Sequence, residues 1–282
     1  MINNIIVVFC EGGHDIAFLT RLLLCSDYVD YGRKVSEFIT PFNKQFSKEL
    51  SSINLSEKKL GDIGASYKVP SVALAKDDCL VFIHNLKGDG RLVERTALKD
   101  LYTNIVGEDD FSAEFNFNFK FLYFFDADEV GVTTRLNNLT TELALETNLT
   151  NGSVVQNRDG HKFGSYIFHN IESADGHGDL EDVIFTLIKQ NEEALFSLTD
   201  GFIKGNLLNS DRQRELRILN GTEVYDPRNK FKVKKSILNT LGQFQFSGSS
   251  NVVIIKNSDY FKKTDILGSD ICSTIIGMFS NH

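Results

Sequence analysis

Two apolar runs of strand length, each ending abruptly in carboxylates and glycine, limit what this chain can fold into. The first is Ile5-Ile6-Val7-Val8-Phe9-Cys10, followed by Glu11-Gly12-Gly13-His14-Asp15. The second is Phe121-Leu122-Tyr123-Phe124-Phe125, followed by Asp126-Ala127-Asp128-Glu129-Val130-Gly131. Unbroken apolar runs mark strands covered on both faces, and in open α/β sheets ligands meet the carboxyl ends of such strands. Glu11, Asp126 and Asp128 are therefore expected on one sheet edge. Gathered carboxylates repel one another unless protons or a cation neutralise them, so a divalent ion is their natural companion.

The rest of the chain alternates between strand and helix patterns. A strand over 4–10 leads to a helix in which Asp15 is a candidate cap and Ile16, Leu19, Leu22 and Leu23 share a face. Residues 27–78 are polar, rich in Ser and Lys and weakly periodic, and read as an insertion or small subdomain. A strand over 79–83 follows, then a loop at Lys87-Gly88-Asp89-Gly90-Arg91 and a helix near 91–104. The strand over 120–125 enters the acidic loop and a helix around 131–146. Residues 166–168 suggest another strand, and 170–179 a polar turn-rich loop. Asp179 caps a helix with Leu180, Val183, Ile184, Leu187 and Ile188 on one face. A helix near 231–241, a strand at Val252-Val253-Ile254-Ile255 and a helix near 266–279 close the chain. The pattern predicts a Rossmann-like, mostly parallel sheet with helices on both faces. It reads as one domain over 1–282 with a C-terminal extension from about 200.

Composition narrows the function classes. The 41% hydrophobic content suffices for a sizeable core, and the formal charge of −8 argues against a broadly basic nucleic-acid surface. A local basic strip beside an acidic metal site remains compatible with it. Cys10, Cys25, Cys79 and Cys272 are scattered without a Cys-x-x-Cys pair, which excludes zinc-knuckle and redox motifs and suits a reducing cytoplasm. No segment reaches the ~20 apolar residues of a membrane helix, and the N-terminal run lacks the basic start of a signal peptide. A cytoplasmic protein without membrane contact is the expectation.

The order strand-Glu-Gly-x-x-Asp-helix, then strand-Asp-x-Asp-x-x-Gly-helix, resembles the Toprim superfamily shared by topoisomerases, bacterial primases and OLD-type nucleases. Residues 4–24 and 119–145 carry the match. The resemblance implies Glu11 as a general acid/base and Asp126 and Asp128 as ligands of Mg2+ or Mn2+, with Asp15, which matches the Glu-Gly-x-x-Asp variant, as a further metal residue. It also implies phosphodiester chemistry and nucleic acid as a partner, and leaves a homo-oligomer open. Gly178-Asp179-Leu180-Glu181-Asp182, with Lys234-Lys235, Gln243 and Gly248, is similar to an uncharacterised bacterial branch of Toprim-related proteins, which would add Glu181 or Asp182 as an acid near the metal. Acids in the first turn of a helix equally serve its dipole, so both readings of Glu181 stand. Asp-x-Asp strand ends also occur in nucleotide-sugar glycosyltransferases and haloacid-dehalogenase phosphatases, but those patterns leave Glu11 without a role. A non-catalytic binding or regulatory module on the same fold is the alternative from another class.

Basic and histidine signals are weaker. Arg228, Lys230, Lys232, Lys234 and Lys235 form the most basic run. Lys234 and Lys235, together with Lys87 and Arg91 beside Gly88 and Gly90, are candidate phosphate contacts. For such a charge run a solvated helix face is the favoured explanation. His161, His169 and His177, eight apart, match no helical metal pair; His169 or His177 is a candidate proton shuttle.

Overall fold

The computed structural model describes residues 2–54, 56, 66–88, 90–105, 117–157, 159–229 and 231–280. In chain order its elements are β1 (Asn4–Cys10), α1 (Gly13–Cys25), β2 (Val29–Asp30), α2 (Phe42–Ser51), β3 (Val72–Lys76), β4 (Cys79–Asn85), α3 (Leu92–Thr103), β5 (Asn118–Asp126) and α4 (Val132–Glu142). There follow β6 (Ser153–Gln156), β7 (Lys162–Phe168), α5 (Leu180–Gly205), β8 (Arg214–Leu219), β9 (Thr222–Asn229), α6 (Val233–Gln245), α7 (Asn251–Asn257), α8 (Lys263–Gly268) and α9 (Asp270–Met278).

Seven strands form one sheet in the order β2-β3-β4-β1-β5-β7-β6. The central four, β4, β1, β5 and β7, are parallel, while β3 and β6 run antiparallel to their inner neighbours. The apolar run of β1 divides by alternation. Ile6, Val8 and Cys10 join the core on one face, and Ile5, Val7 and Phe9 join the core on the other. Helices α1, α5, α6 and α9 cover the first face; α2, α3 and α4 cover the second. The fold is thus the expected mixed α/β architecture with a mostly parallel sheet.

From β1 the chain goes to β4 on one side, then crosses back to β5 on the other. Helix α1, after β1, lies on the first face, and α4, after β5, lies on the second. The crevice between the carboxyl ends of β1 and β5 is therefore a topological switch point, where an open α/β sheet offers room for a ligand. Gly12 caps helix α1, and the Asp15 carboxylate accepts the Gly12 amide at 2.8 Å. Asp15 thus closes the first turn from its third position and is not the cap itself. The buried Ile16, Phe18, Leu19, Leu22 and Leu23, worth about 1.5–3 kcal/mol each, outweigh a capping side chain of about 1 kcal/mol that glycine lacks.

Three expectations differ from the structure. Val252–Ile255 is helical, within α7: a four-residue apolar run is too short for its period to separate strand from helix. Tertiary packing decides for helix, because Ile254 seats against Gly242 of α6, where a Cβ would lie 1.9 Å from the Ile254 side chain. The helix near 266–279 is two helices, interrupted at Ser269, whose hydroxyl accepts the Cys272 amide to start α9. Residues 27–78 are built into the main body: β3 pairs with β4, and Phe42 and Phe46 of α2 pack on Phe82. Residues 55 and 57–65 of that segment lie outside the described residues. Within the expected C-terminal extension, α6 to α9 cover the sheet and β8–β9 forms a separate two-stranded hairpin.

Candidate functional site

Parallel pairing of β1 with β5 brings Cys10 opposite Phe124, so Glu11 and Asp126 leave the sheet at the same end. The Glu11 side chain crosses the crevice, and its Oε1 accepts the Asp126 amide at 3.0 Å. The Glu11 carbonyl accepts the Gly88 amide at 2.9 Å, which seats the loop after β4 on the same rim. Asp126 Oδ1 in turn accepts the Leu180 amide at 2.8 Å, at the first residue of α5. The positive end of that helix therefore points at the switch point. Its second residue, Glu181, is 3% exposed and takes a hydrogen bond from His14 Nδ1 at 2.9 Å. Lys235 Nζ stands 4.0 Å from the same Glu181 oxygen.

Four acids from three separate segments thus share one field. Burial raises Asp126 to about 9, and the charges of Asp15, Glu11 and Glu181 add to that rise against the Leu180 amide. Burial also raises Asp15 to about 7, reinforced by Glu11 and Glu181 and opposed by the Gly12 amide and Lys235. Burial pushes Glu181 in the same direction, but the His14 hydrogen bond and the Lys235 charge outweigh it and hold Glu181 below its ordinary value. The rim therefore contains two carboxyls that burial and like charge raise and one that a histidine and a lysine hold below its ordinary value.

The entry to α5 braces the site. Asp179 accepts the Asp182 amide, and Asp182 accepts the Asp179 amide at 3.0 Å, a reciprocal cap. Lys234 bridges both, 2.9 Å from Asp179 and 2.6 Å from Asp182. Burial raises Asp179 to about 6, with the Lys234 hydrogen bond opposing. Gly178 precedes this cap at φ +130°, and a Cβ there would lie 2.4 Å from the Asn170 nitrogen and 2.5 Å from Asp182 Oδ2. Only glycine allows both the backbone conformation and the approach.

The structure brings together Glu11, Asp15, Asp126 and Glu181, with Lys235 beside them. Asp128 departs from its expected place as the second metal ligand. Its φ is +47°, its amide donates to the Gly178 carbonyl at 2.7 Å, and its exposed carboxylate pairs with Arg135 at 2.9 Å. The left-handed backbone turns the second acid of Asp-x-Asp outward. Arg91, expected at a phosphate, pairs with Glu94 at 2.9 Å on the surface, and Lys234 is engaged by the two cap acids. Lys87 is exposed next to Gly88 on the site rim, and its ammonium makes no hydrogen bond or ion pair among the described residues. His169 is turned to the Ile167 carbonyl at 3.0 Å. The histidine that reaches the acids is His14; its one sequence signal was a place in the first helical turn after Glu11.

Among the described residues, no three His, Cys, Asp or Glu side chains close around a single point as a protein-only metal cage. The donor chemistry nonetheless fits Mg2+, which is held through oxygen, keeps several waters and needs only one or two carboxylates besides substrate phosphate. Asp126 and Asp15, both raised by burial and like charge, are the two whose ionised form a hard cation would favour.

No family model matches the chain, and no curated protein does. Among solved structures the chain is similar to a hypothetical protein from Pyrococcus horikoshii OT3, at a TM-score of 0.54 and 14% identity, over 99% of this chain and 100% of that one. That likeness establishes a shared fold. No helix among the described residues is long and apolar enough to cross a membrane.

Proposed function

We propose that this protein is a Toprim-like, Mg2+-dependent phosphoryl-transfer enzyme, a nuclease acting on phosphodiesters in the cytoplasm. The observation that carries the reading is the convergence of Glu11, Asp15, Asp126 and Glu181, from three separate segments, at the β1–β5 switch point. Perturbed carboxyls gathered in a crevice are a feature of functional sites. Asp126 and Asp15 would hold the cation, which would supply charge neutralisation at a phosphate oxygen. Glu11, fixed by the Asp126 amide, moves a proton to or from the attacking or leaving oxygen. Lys235 and Lys87 face the phosphate, and His14 fixes the orientation of Glu181. Four free thiols accord with a reducing cytoplasm.

The Asp128–Arg135 pair favours a second reading, a binding module that keeps the fold without turnover. Assays on single- and double-stranded DNA and RNA with Mg2+ or Mn2+, beside Glu11→Gln and Asp126→Asn, separate the two. Cleavage lost in both variants supports the enzyme. Cation binding without cleavage in the wild type supports the module and sinks the nuclease.

A further inference from the structure

Beyond the acidic crevice, the molecule carries a second surface of opposite charge. Residues 211–235 hold eight Lys and Arg against four Asp and Glu, net +4 in a chain of formal charge −8. They comprise the β8–β9 hairpin and the first turn of α6, and every residue of the two strands except Asp226 is exposed. Asp226 ties Arg217 at 2.9 Å and Arg228 at 3.2 Å to the hairpin. By contrast, the Arg212 guanidinium and the Lys232 ammonium make no hydrogen bond or ion pair among the described residues.

The base of the hairpin is hollow. A cavity of about 700 Å³ has Phe202, Leu207, Leu208 and Phe231 on its apolar wall and Arg212 and Arg214 beside them. Three of those apolar side chains are half exposed: Phe202 at 60%, Leu207 at 45% and Leu208 at 49%. Of the two arginines, Arg214 pairs with Asp211 at 3.5 Å and Arg212 is the one without an ion pair among the described residues, and Glu215 also lines the wall. Aromatic rings beside an available cation suit a flat, apolar group joined to an anion, and a cavity of this volume is of ligand size.

Chain geometry sets this hollow beside the acidic rim. Helix α5 breaks at Glu192, which has φ −131° and ψ +40°. Across the break, the rings of Phe185 and Phe196 lie 4.9 Å apart. In a straight helix eleven residues would separate them by about 16 Å. The second half of α5 therefore bends sharply away from the axis of the first. From Phe231 on the cavity wall, three residues lead to Lys234 on Asp179 and Asp182. Three residues span at most about 11 Å.

We infer that the β8–β9 arm and its basal cavity are a binding site for single-stranded nucleic acid, taking one base against Phe202 and Phe231 and the adjoining phosphates on Arg212 and Arg214. The strand then runs past Lys232 and Lys235 to the acidic crevice. The inference rests on the phosphodiester reading for its direction, but the site itself binds without turnover. Its logic is charge complementarity: an acidic crevice repels a polyanion, and a basic arm next to it restores attraction. Stacking on aromatic side chains with cations along the backbone is how single strands are held without base-pair readout. A duplex keeps its bases stacked inside and cannot offer one to the cavity.

The test is fluorescence anisotropy in EDTA, with labelled single-stranded DNA and RNA 20-mers and a duplex of the same sequence, as a function of salt. The wild type is expected to prefer the single strands, and comparison of the DNA and RNA arms assigns the sugar. The Arg212→Ala/Arg214→Ala double variant should bind roughly tenfold more weakly, with a log–log salt slope shallower by about 1.4, the value for two lost phosphate contacts to a single strand. Phe231→Leu should weaken binding by roughly tenfold and leave the salt slope unchanged. Thermal melting checks that each variant is folded. Binding unchanged in both variants overturns the inference, and so does equal affinity for duplex and single strand. A shift from dimer to monomer in the double variant, with oligonucleotide binding unchanged, also overturns it, because a second copy of the chain would then be the occupant. Arm-dependent binding without any Mg2+-dependent cleavage leaves the arm standing and removes the catalytic reading. Glu11-dependent hydrolysis of bis(p-nitrophenyl) phosphate without oligonucleotide binding does the reverse.

Discussion

At the β1–β5 rim, Asp15 and Glu181 are 5% and 3% exposed, and the amides of Gly12, Asp126 and Leu180 are spent on carboxylates. Along β8 and β9, only Asp226 is buried; its carboxylate pairs across the strands with Arg217 and along its own strand with Arg228. The rim takes its geometry from the scaffold: a strand end on either side, a helix start above and glycine at the one point where nothing else fits. The arm takes its shape from its own ladder of hydrogen bonds, since an isolated two-stranded hairpin has no core to lean on. Precision belongs to the first region and charge to the second. Chemistry that depends on tenths of an ångström needs supporting contacts, whereas capture of a flexible polyanion needs only accessible cations.

Substitutions should expose that contrast. The largest effect is expected in activity: Glu11→Gln or Asp126→Asn should lower Mg2+-dependent cleavage by about 10²–10⁴-fold, measured as initial rates on a labelled oligonucleotide. A residual rate close to wild type in either would detach the acids from function. Next comes Gly178→Ala, which sets a Cβ against the Asn170 nitrogen and Asp182 and should cost about 3 kcal/mol by denaturant unfolding. Its counterpart in the arm is Gly221→Ala. That position has φ +79° but open space around a Cβ, so the cost should be only about 1 kcal/mol. Equal losses at both glycines would mean that the rim is no more tightly supported than the arm.

Proton linkage gives a smaller, graded test. Asp126 and Asp15 are raised in the folded protein to about 9 and about 7, from an ordinary value of 3.8. Raised carboxyls stabilise the fold fully below that ordinary value and lose their contribution as pH rises through the folded values. The melting temperature of the cation-free protein should therefore fall between about pH 4 and 9. Asp126→Asn should flatten the upper part of that decline, and added Mg2+ should restore stability at alkaline pH. A melting temperature that rises over this window would place the acids in a different electrostatic setting. The smallest effect belongs to the arm: Ile218→Ser, at a side chain 63% exposed, should stay within about 0.5 kcal/mol of wild type.

Much of the parallel sheet was legible because β1, β4 and β5 are apolar on both faces and say so residue by residue. The Asp179 cap was legible too, since an Asp before an amphipathic run has few other meanings. Less visible was anything resting on half-buried or short segments. Val154 and Val155 of β6 carry too little apolar signal to announce an edge strand, and Val252–Ile255 is too short to reveal a period. His14 escaped notice because its partner, Glu181, lies 167 positions away. Asp128 looked equivalent to Asp126 because spacing along the chain says nothing of a φ of +47°.

Alternation and termination of apolar runs, which are local properties, already specified a layered α/β fold with acids at strand ends. Which acids would meet was another matter. That followed from the crossover that sets β5 beside β1, from the start of α5 landing on Asp126, and from the left-handed turn that sends Asp128 to Arg135. Side-chain convergence is a long-range consequence of topology, and a local pattern carries no information about the partner on the far side of a crevice.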